Sequence, residues 1–199
     1  RLRTLFPLFD RILLAPPDGI IAAAAPAVAE NGQSSIGTTV ADRSYFRIPL
    51  QRGEAYIDPQ VLIGRTSGQP LMAMGVPVKA PDGRVVGVLG GTIELNSVTN
   101  MIRRLTLGRT GHAVAVTREG VTVAHPNAGL LRERFSFATR PIWSHIAGRQ
   151  EGEILDYEDE TGASRFAAFA TVPATEWKVW LSQTHAEVDE EFLARLASS

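Results

Sequence analysis

The sequence predicts an α+β protein of two successive modules, each built on an antiparallel sheet, and three observations lead to it. Short apolar runs are divided by Pro-Asp-Gly and Glu-Gly turns at 17–19, 81–83 and 119–120, the punctuation of β-hairpins. Strands dominate, and the few stretches of helical period stand between or after the hairpins. Ile12 to Pro26 also aligns with Ala113 to Pro126, about one hundred residues on. In that alignment Asp18-Gly19 falls beside Glu119-Gly120, and each turn leads into a short apolar strand ending at Pro. The expected modules are residues 1–107 and 108–186, with 187–199 an outgoing helix.

Each element follows from local chemistry. Leu2 to Leu8 reads as the end of a helix stopped or kinked by Pro7. Phe9 to Leu14 and Ile20 to Ala25 read as strands about the first turn, and residues 26–69 as loop with short helical pieces. Leu71 to Val78 and Val85 to Leu95 form a second hairpin, whose glycines Gly87, Gly90 and Gly91 point to close backbone approach or a bulge. Asn96 is expected to cap a helix with Val98, Met101, Ile102 and Leu105 on one face, closed by Gly108. The second module replays the plan with strands Ala113 to Thr117 and Val121 to Ala124, a helix near Ile142 to Gly148, and strands near 152–157, 165–172 and 177–183. Thr184 with Glu187 makes a capping box, and Val188, Phe192 and Leu196 supply the stripe of a last helix.

Composition narrows the function classes. A chain of 199 residues with 44% hydrophobic and 21% charged side chains can bury a core of its own and is not a disordered tail. A net charge of −1 argues against a nucleic-acid binder. With no Cys there are no disulfides, thiolate nucleophiles or cysteine-ligated metals, although the redox compartment stays open. The most apolar run, Ile20 to Ala29, is broken by Pro26 and is shorter than the about 20 residues that span a bilayer. Because the chain starts at Arg1 and not at Met, it is expected to be a piece of a longer protein.

No GxSxG, HExxH or GxxxxGK[ST] motif is present, and GVLGG at 87–91 misses the dinucleotide-binding spacing. His112, His125, His145 and His185 are scattered, so structural roles are expected for them and no metal or cofactor is expected. The acidic run Glu151, Glu153, Asp156, Glu158, Asp159 and Glu160 lacks the glycine and terminal Glu placement of a calcium loop and reads better as a solvated hairpin tip. The suggestive cluster is Asp42-Arg43-Ser44-Tyr45-Phe46, followed by Tyr56 and Asp58 and by the strand carrying Met72 and Met74. A guanidinium fork flanked by aromatic walls and a phenol suits a small organic acid. The same residues also fit a surface pair of Arg43 with Asp42 or Asp58 above a core containing Tyr45 and Phe46.

In their order and spacing, FDRILLAPPDGIIAAAAP (9–26), DRSYF (42–46), GEAYIDP (53–59), RTSGQPLMAMGVPVKAPDGRVVGVLGGTIEL (65–95) and GHAVAVTREGVTVAHP (111–126) resemble the double Cache (dCache) family. Its members are extracytoplasmic sensor domains of bacterial transmembrane receptors. The resemblance covers nearly the whole chain and implies two PAS-like modules strung along an N-terminal helix, membrane-distal before membrane-proximal. It further implies a domain outside the inner membrane, periplasmic or extracellular, held by flanking transmembrane helices, with a homodimeric receptor as one arrangement. In the amino-acid-sensing branch an Arg-x-Trp-Tyr element holds the ligand carboxylate and a later Asp holds its ammonium. Here those positions read Arg43-Ser44-Tyr45-Phe46 and Thr92, which favours a simple carboxylate or other small polar metabolite, although Asp58 or Glu94 could take an ammonium.

The expected ligand site is therefore Arg43, Tyr45, Phe46, Tyr56, Asp58, Met72, Met74 and Thr92, in a non-enzymatic sensor whose receptor ends in a histidine kinase, a diguanylate cyclase or a chemotaxis output. Two rivals stand beside it. One is a structural or dimerisation module whose pocket is filled by its own side chains, and the other is a hydrolase or lyase with an unrecognised site.

Overall fold

A computed structural model describes residues 8–104 and 107–197, so the expected helix end before Pro7 and the shared N-terminal helix lie outside the described residues. The chain divides into two compact units, Arg1–Ser97 and Val98–Ser199. The first unit contains β1 (Arg11–Ala15), β2 (Ala23–Ala25), α1 (Ser44–Arg52), β3 (Tyr56–Ile57), β4 (Leu62–Ile63), β5 (Pro70–Lys79) and β6 (Val85–Glu94). Helix α2 (Leu95–Ile102) runs directly out of β6 and carries the division between the units. The second unit contains β7 (His112–Val116), β8 (Thr122–Ala124), α3 (Ala128–Arg132), α4 (Pro141–Ile146), β9 (Glu151–Glu158), β10 (Ser164–Val172), β11 (Trp177–Thr184) and α5 (His185–Ala197). Among the described residues no helix is long and apolar enough to cross a membrane.

Each unit has its own antiparallel sheet, and the strand orders correspond. The first runs β2-β1-β6-β5-β3, with β4 also pairing β5, and the second runs β8-β7-β11-β10-β9. In both, the opening hairpin sits against the last strand of its unit, as the aligned turns of the sequence imply. Gly19 and Gly120 turn those hairpins at φ of 74° and 83°, a left-handed conformation that glycine enters without steric cost. The returning strand of the first is shorter than expected, because Ile20 bridges Thr39 before β2 begins.

The first core is closed by α1. Tyr45, Phe46 and Pro49 are its buried residues, and the two aromatic side chains pack with Leu13, Ala15, Leu71, Ala73 and Val88 of the sheet. Pro49 has no N–H to donate to the Tyr45 carbonyl one turn back. That carbonyl instead lies against Gly75 of β5, where a Cβ would stand 1.9 Å from its oxygen. The helix can approach the sheet this closely only over a residue without a side chain.

The second core uses bulk at the corresponding place. Gly90 on β6 pairs with Leu13, whereas Trp180 on β11 pairs with Val114 in the same relation to the strand end. The Trp180 indole meets Phe137 edge to face with ring centres 5.3 Å apart, a favourable aromatic geometry. Beside it, Arg165 donates from Nε to Ser182 Oγ at 3.1 Å and faces Asp159 at 3.2 Å and His112 Nδ1 at 3.0 Å.

Three local expectations change. Asn96 lies inside α2 and does not cap it, because the strand passes straight into the helix and Asp10 accepts the Glu94 N–H at that junction. The acidic hairpin tip is not fully solvated: Asp159 is buried against Arg165, and Glu160 Oε1 stands 3.0 Å from His125 Nε2. Helix α3, unforeseen in the sequence, starts where Asn127 Oδ1 accepts the Gly129 N–H at 2.8 Å.

Only one side of the expected capping box forms at α5. Thr184 Oγ1 accepts the Glu187 N–H at 3.4 Å. The Glu187 carboxylate turns away and accepts the N–H groups of Arg109 and Thr110 and the Thr110 hydroxyl. These backbone donors, Arg109 first, hold its carboxyl at about 2 against an ordinary 4.5. A depressed value means the contribution to stability is complete above pH 4.5 and is lost as the pH falls toward about 2. Glu187→Gln should therefore lower the melting temperature at neutral pH and give a shallower further loss between pH 4.5 and 2, read by thermal melts in circular dichroism. Parallel acid limbs in the two proteins would show that Glu187 is not the titrating clasp.

Candidate functional site

On the α1 side of its sheet the first unit holds a cavity with about 60 Å³ open to water-sized atoms. Leu13, Ile21, Val40 and Leu71 give it apolar walls, and Arg11, Arg43, Arg65, Thr92 and Glu94 bring charge and polarity to the same space.

The local fold explains how these groups converge. Arg43 precedes α1 in an extended conformation, and its Nη2 donates to the Ile63 carbonyl at 2.9 Å. Arg65 donates to the Thr39 carbonyl and to Asp42 Oδ2, each at 2.6 Å. Together the two arginines fold the segment after β4 over the start of α1 and close the cavity from that side. Tyr45, on the first turn of α1, is kept phenolic because burial pushes its hydroxyl up to about 12. Burial also raises the Glu94 carboxyl, opposed by a hydrogen bond from Ser67.

Of the eight residues expected from the sequence, Arg43, Tyr45 and Thr92 line the cavity. Phe46 is buried in the apolar core beneath α1. Tyr56 lies on β3, and Asp58 just after it is buried, with Oδ1 accepting the Gln60 N–H at 3.1 Å. Desolvation raises the Asp58 carboxyl, and the Arg43 charge acts against it from nearby. Met72 and Met74 stand on the opposite face of the sheet, since β5 directs Leu71, Ala73 and Gly75 inward and strand side chains alternate. There Met74 joins Ile12, Val76 and Leu89 in a separate apolar groove.

Arg11, Arg65, Ser67 and Glu94 are lining residues that were not singled out for the site, apart from Glu94 as an alternative ammonium partner. Alternation would have found Arg11, because it shares a face with Leu13 and Ala15 and pairs with Thr92 across β1 and β6. Nothing periodic marks the 64–67 segment, which reaches the cavity through contacts distant in sequence. The lining contains the carboxylates Asp10 and Glu94 and, among the described residues, no histidine.

A family model described as a Cache domain, of the double Cache type, matches residues 2–192. The methyl-accepting chemotaxis protein McpA of Pseudomonas putida is 25% identical over 116 residues, which are 58% of this chain and 18% of that protein. The matched segments cover less than a fifth of the length of each of these curated relatives. Among solved structures, the ligand binding domain of the Pseudomonas aeruginosa PAO1 amino acid chemoreceptor PctB in complex with L-Arg superposes with a TM-score of 0.66 at 19% identity, covering 93% of this chain and 75% of that one. The corresponding domain of PctC from the same organism, in complex with GABA, gives 0.61 at 21% identity over 90% and 76%.

The cavity wall depends on α1 lying close to β5. Gly75→Ala should place a methyl group against the Tyr45 carbonyl and lower stability by about 1–3 kcal/mol, the cost of overpacking a filled contact. Urea denaturation followed by far-UV circular dichroism measures it. An unchanged midpoint would mean that the helix shifts without cost.

Proposed function

Because the chain belongs to the double Cache family, whose model matches residues 2–192, we propose that it is the extracytoplasmic ligand-sensing domain of a bacterial transmembrane receptor. In this reading the first unit is the membrane-distal module and takes the ligand, and the second is the membrane-proximal module from which α5 leads toward the membrane. The domain stands on the periplasmic side of the inner membrane. The ligand is a small metabolite bearing a carboxylate, and the domain senses it without transforming it.

The observation that carries the reading is the convergence of Arg11, Arg43 and Arg65 on one apolar-walled cavity in the first unit. A guanidinium recognises a carboxylate through paired N–H groups, and low-dielectric walls strengthen that contact. PctB and PctC carry L-Arg and GABA, both of which bear a carboxylate, and this supports the class without naming the member. A ligand held there can bias the receptor only by its differential affinity for two conformations.

Thermal-shift and calorimetric titration of the chain with short carboxylic acids tests the proposal. Arg43→Ala should weaken binding by about 1.5–3 kcal/mol, the scale of a hydrogen bond to a charged group. Arg43→Lys should restore little, because the ammonium lacks the planar fork. Affinity unchanged in both variants would place recognition elsewhere in the chain.

A further inference from the structure

The cavity is bounded by walls of two kinds. Leu13 and Leu71 on the sheet, Val40 in the loop before α1 and Tyr45 on α1 line it and also belong to the apolar core of the first unit. They cannot withdraw without opening that core. A wall of the second kind is the turn of residues 64–69 between β4 and β5, from which Gly64, Arg65, Thr66 and Ser67 reach the cavity. Gly64-Arg65-Thr66-Ser67-Gly68-Gln69 contains no apolar side chain.

The turn closes on itself, with the Gly64 N–H donating to the Gln69 carbonyl at 2.9 Å and the Gly68 N–H to the Gly64 carbonyl at 2.8 Å. Two register pairs, Leu62 with Leu71 and Ile63 with Pro70, tie it to β5. Polar contacts hold it to the loops around the cavity. Asn31 Nδ2 donates to the Thr66 carbonyl at 2.7 Å, Arg11 Nη1 donates to Thr66 Oγ1 at 2.9 Å, and Ser67 bonds Glu94. Arg65 adds the bonds to the Thr39 carbonyl and to Asp42 already described. Contacts of this kind are exchanged for bonds to water at small net cost, whereas buried apolar surface has no such substitute. A segment tied in this way opens locally before the core does. The side chains of the Arg65–Asp42 pair are 33% and 64% exposed, so salt in the medium reaches them.

We propose that the 64–69 turn is the gate of this cavity and that Asp42, acting through Arg65, is the positioning residue that latches it shut. The turn moves as one piece on the short β4–β5 ladder, keeping its internal hydrogen bonds and giving its outward ones to water. The gate rests on the ligand reading above, because it serves a cavity filled from outside, but its motion is measured without a ligand.

The chain has no cysteine, so one introduced thiol reports access to the cavity. Thr92 lines it and is 8% exposed. Alkylation of Thr92→Cys by iodoacetamide tests the proposal, with Leu155→Cys, at a site 78% exposed, as the open reference. Rates are compared per thiolate, from the pH profile of each, because nearby cations alter the thiol itself. Thr92→Cys should react about tenfold or more slowly than the reference, as a site reached through local opening does. Adding Asp42→Ala should speed it about three- to tenfold, the scale of one charge-assisted contact. Sodium chloride at about 1 M should also speed Thr92→Cys but leave the Asp42→Ala form unchanged, since no ion pair remains there to screen. Val40→Cys, at another lining residue, takes the place of Thr92→Cys if that chain does not fold. A rate equal to the reference would show that the cavity has no closed state. A slow rate indifferent to Asp42→Ala and to salt would show that access does not pass through this turn. Either result overturns the gate and leaves the carboxylate reading intact, whereas failure of short acids to bind overturns that reading and leaves the gate to the thiol rates.

Discussion

The first unit depends on one close approach. The Tyr45 carbonyl rests on Gly75 because Pro49 has no N–H for it and Gly75 has no side chain to hold it off. From that contact follows the depth at which α1 sits, and hence the position of Tyr45 over the sheet and of Arg43 at the head of the helix. The loops at 35–40 and 62–67 then close over a space whose height the helix has already set. Two residues of unusual backbone chemistry, neither of them in contact with a ligand position, thus govern the geometry of the candidate site.

Much of this architecture is legible in the sequence. Turn residues at 18–19, 82–83 and 119–120 mark hairpins because left-handed glycine and a short acidic side chain suit tight reversals, and the aligned first turns disclose the repeat that both sheets share. Arg43 and Tyr45, which the sequence offers equally as a carboxylate clamp or as a surface pair above a core, both border the first unit's cavity. Met72 and Met74 show the limit of the method. Alternation says that they share a face, but only packing decides that Leu71, Ala73 and Gly75 take the inner one. The 64–67 segment and the Arg11 contact with Thr66, 55 residues away, depend on chain closure that no local pattern encodes.

The two units use one topology to different ends. Where β6 has Gly90 and Thr92, β11 has Trp180 and Ser182, and where β1 has Arg11, β7 has His112. In the first unit the Arg11 and Thr92 pair borders a cavity. In the second the His112 and Ser182 pair receives the guanidinium of Arg165, whose other side meets Asp159 at the folded-back hairpin tip. Aromatic bulk and an ion pair between groups nearly excluded from water occupy the corresponding place in that unit.

Arg165 is in effect a guest built into the host. Being tethered by its own strand, it meets its partners at a local concentration fixed by chain connectivity, so its occupancy does not respond to the composition of the medium. A diffusible molecule of the kind proposed for the first unit would have no such tether, and its occupancy would rise and fall with the amount outside the protein. One fold, used twice in a single chain, would thereby set a constant reference beside the variable reading proposed for the first unit.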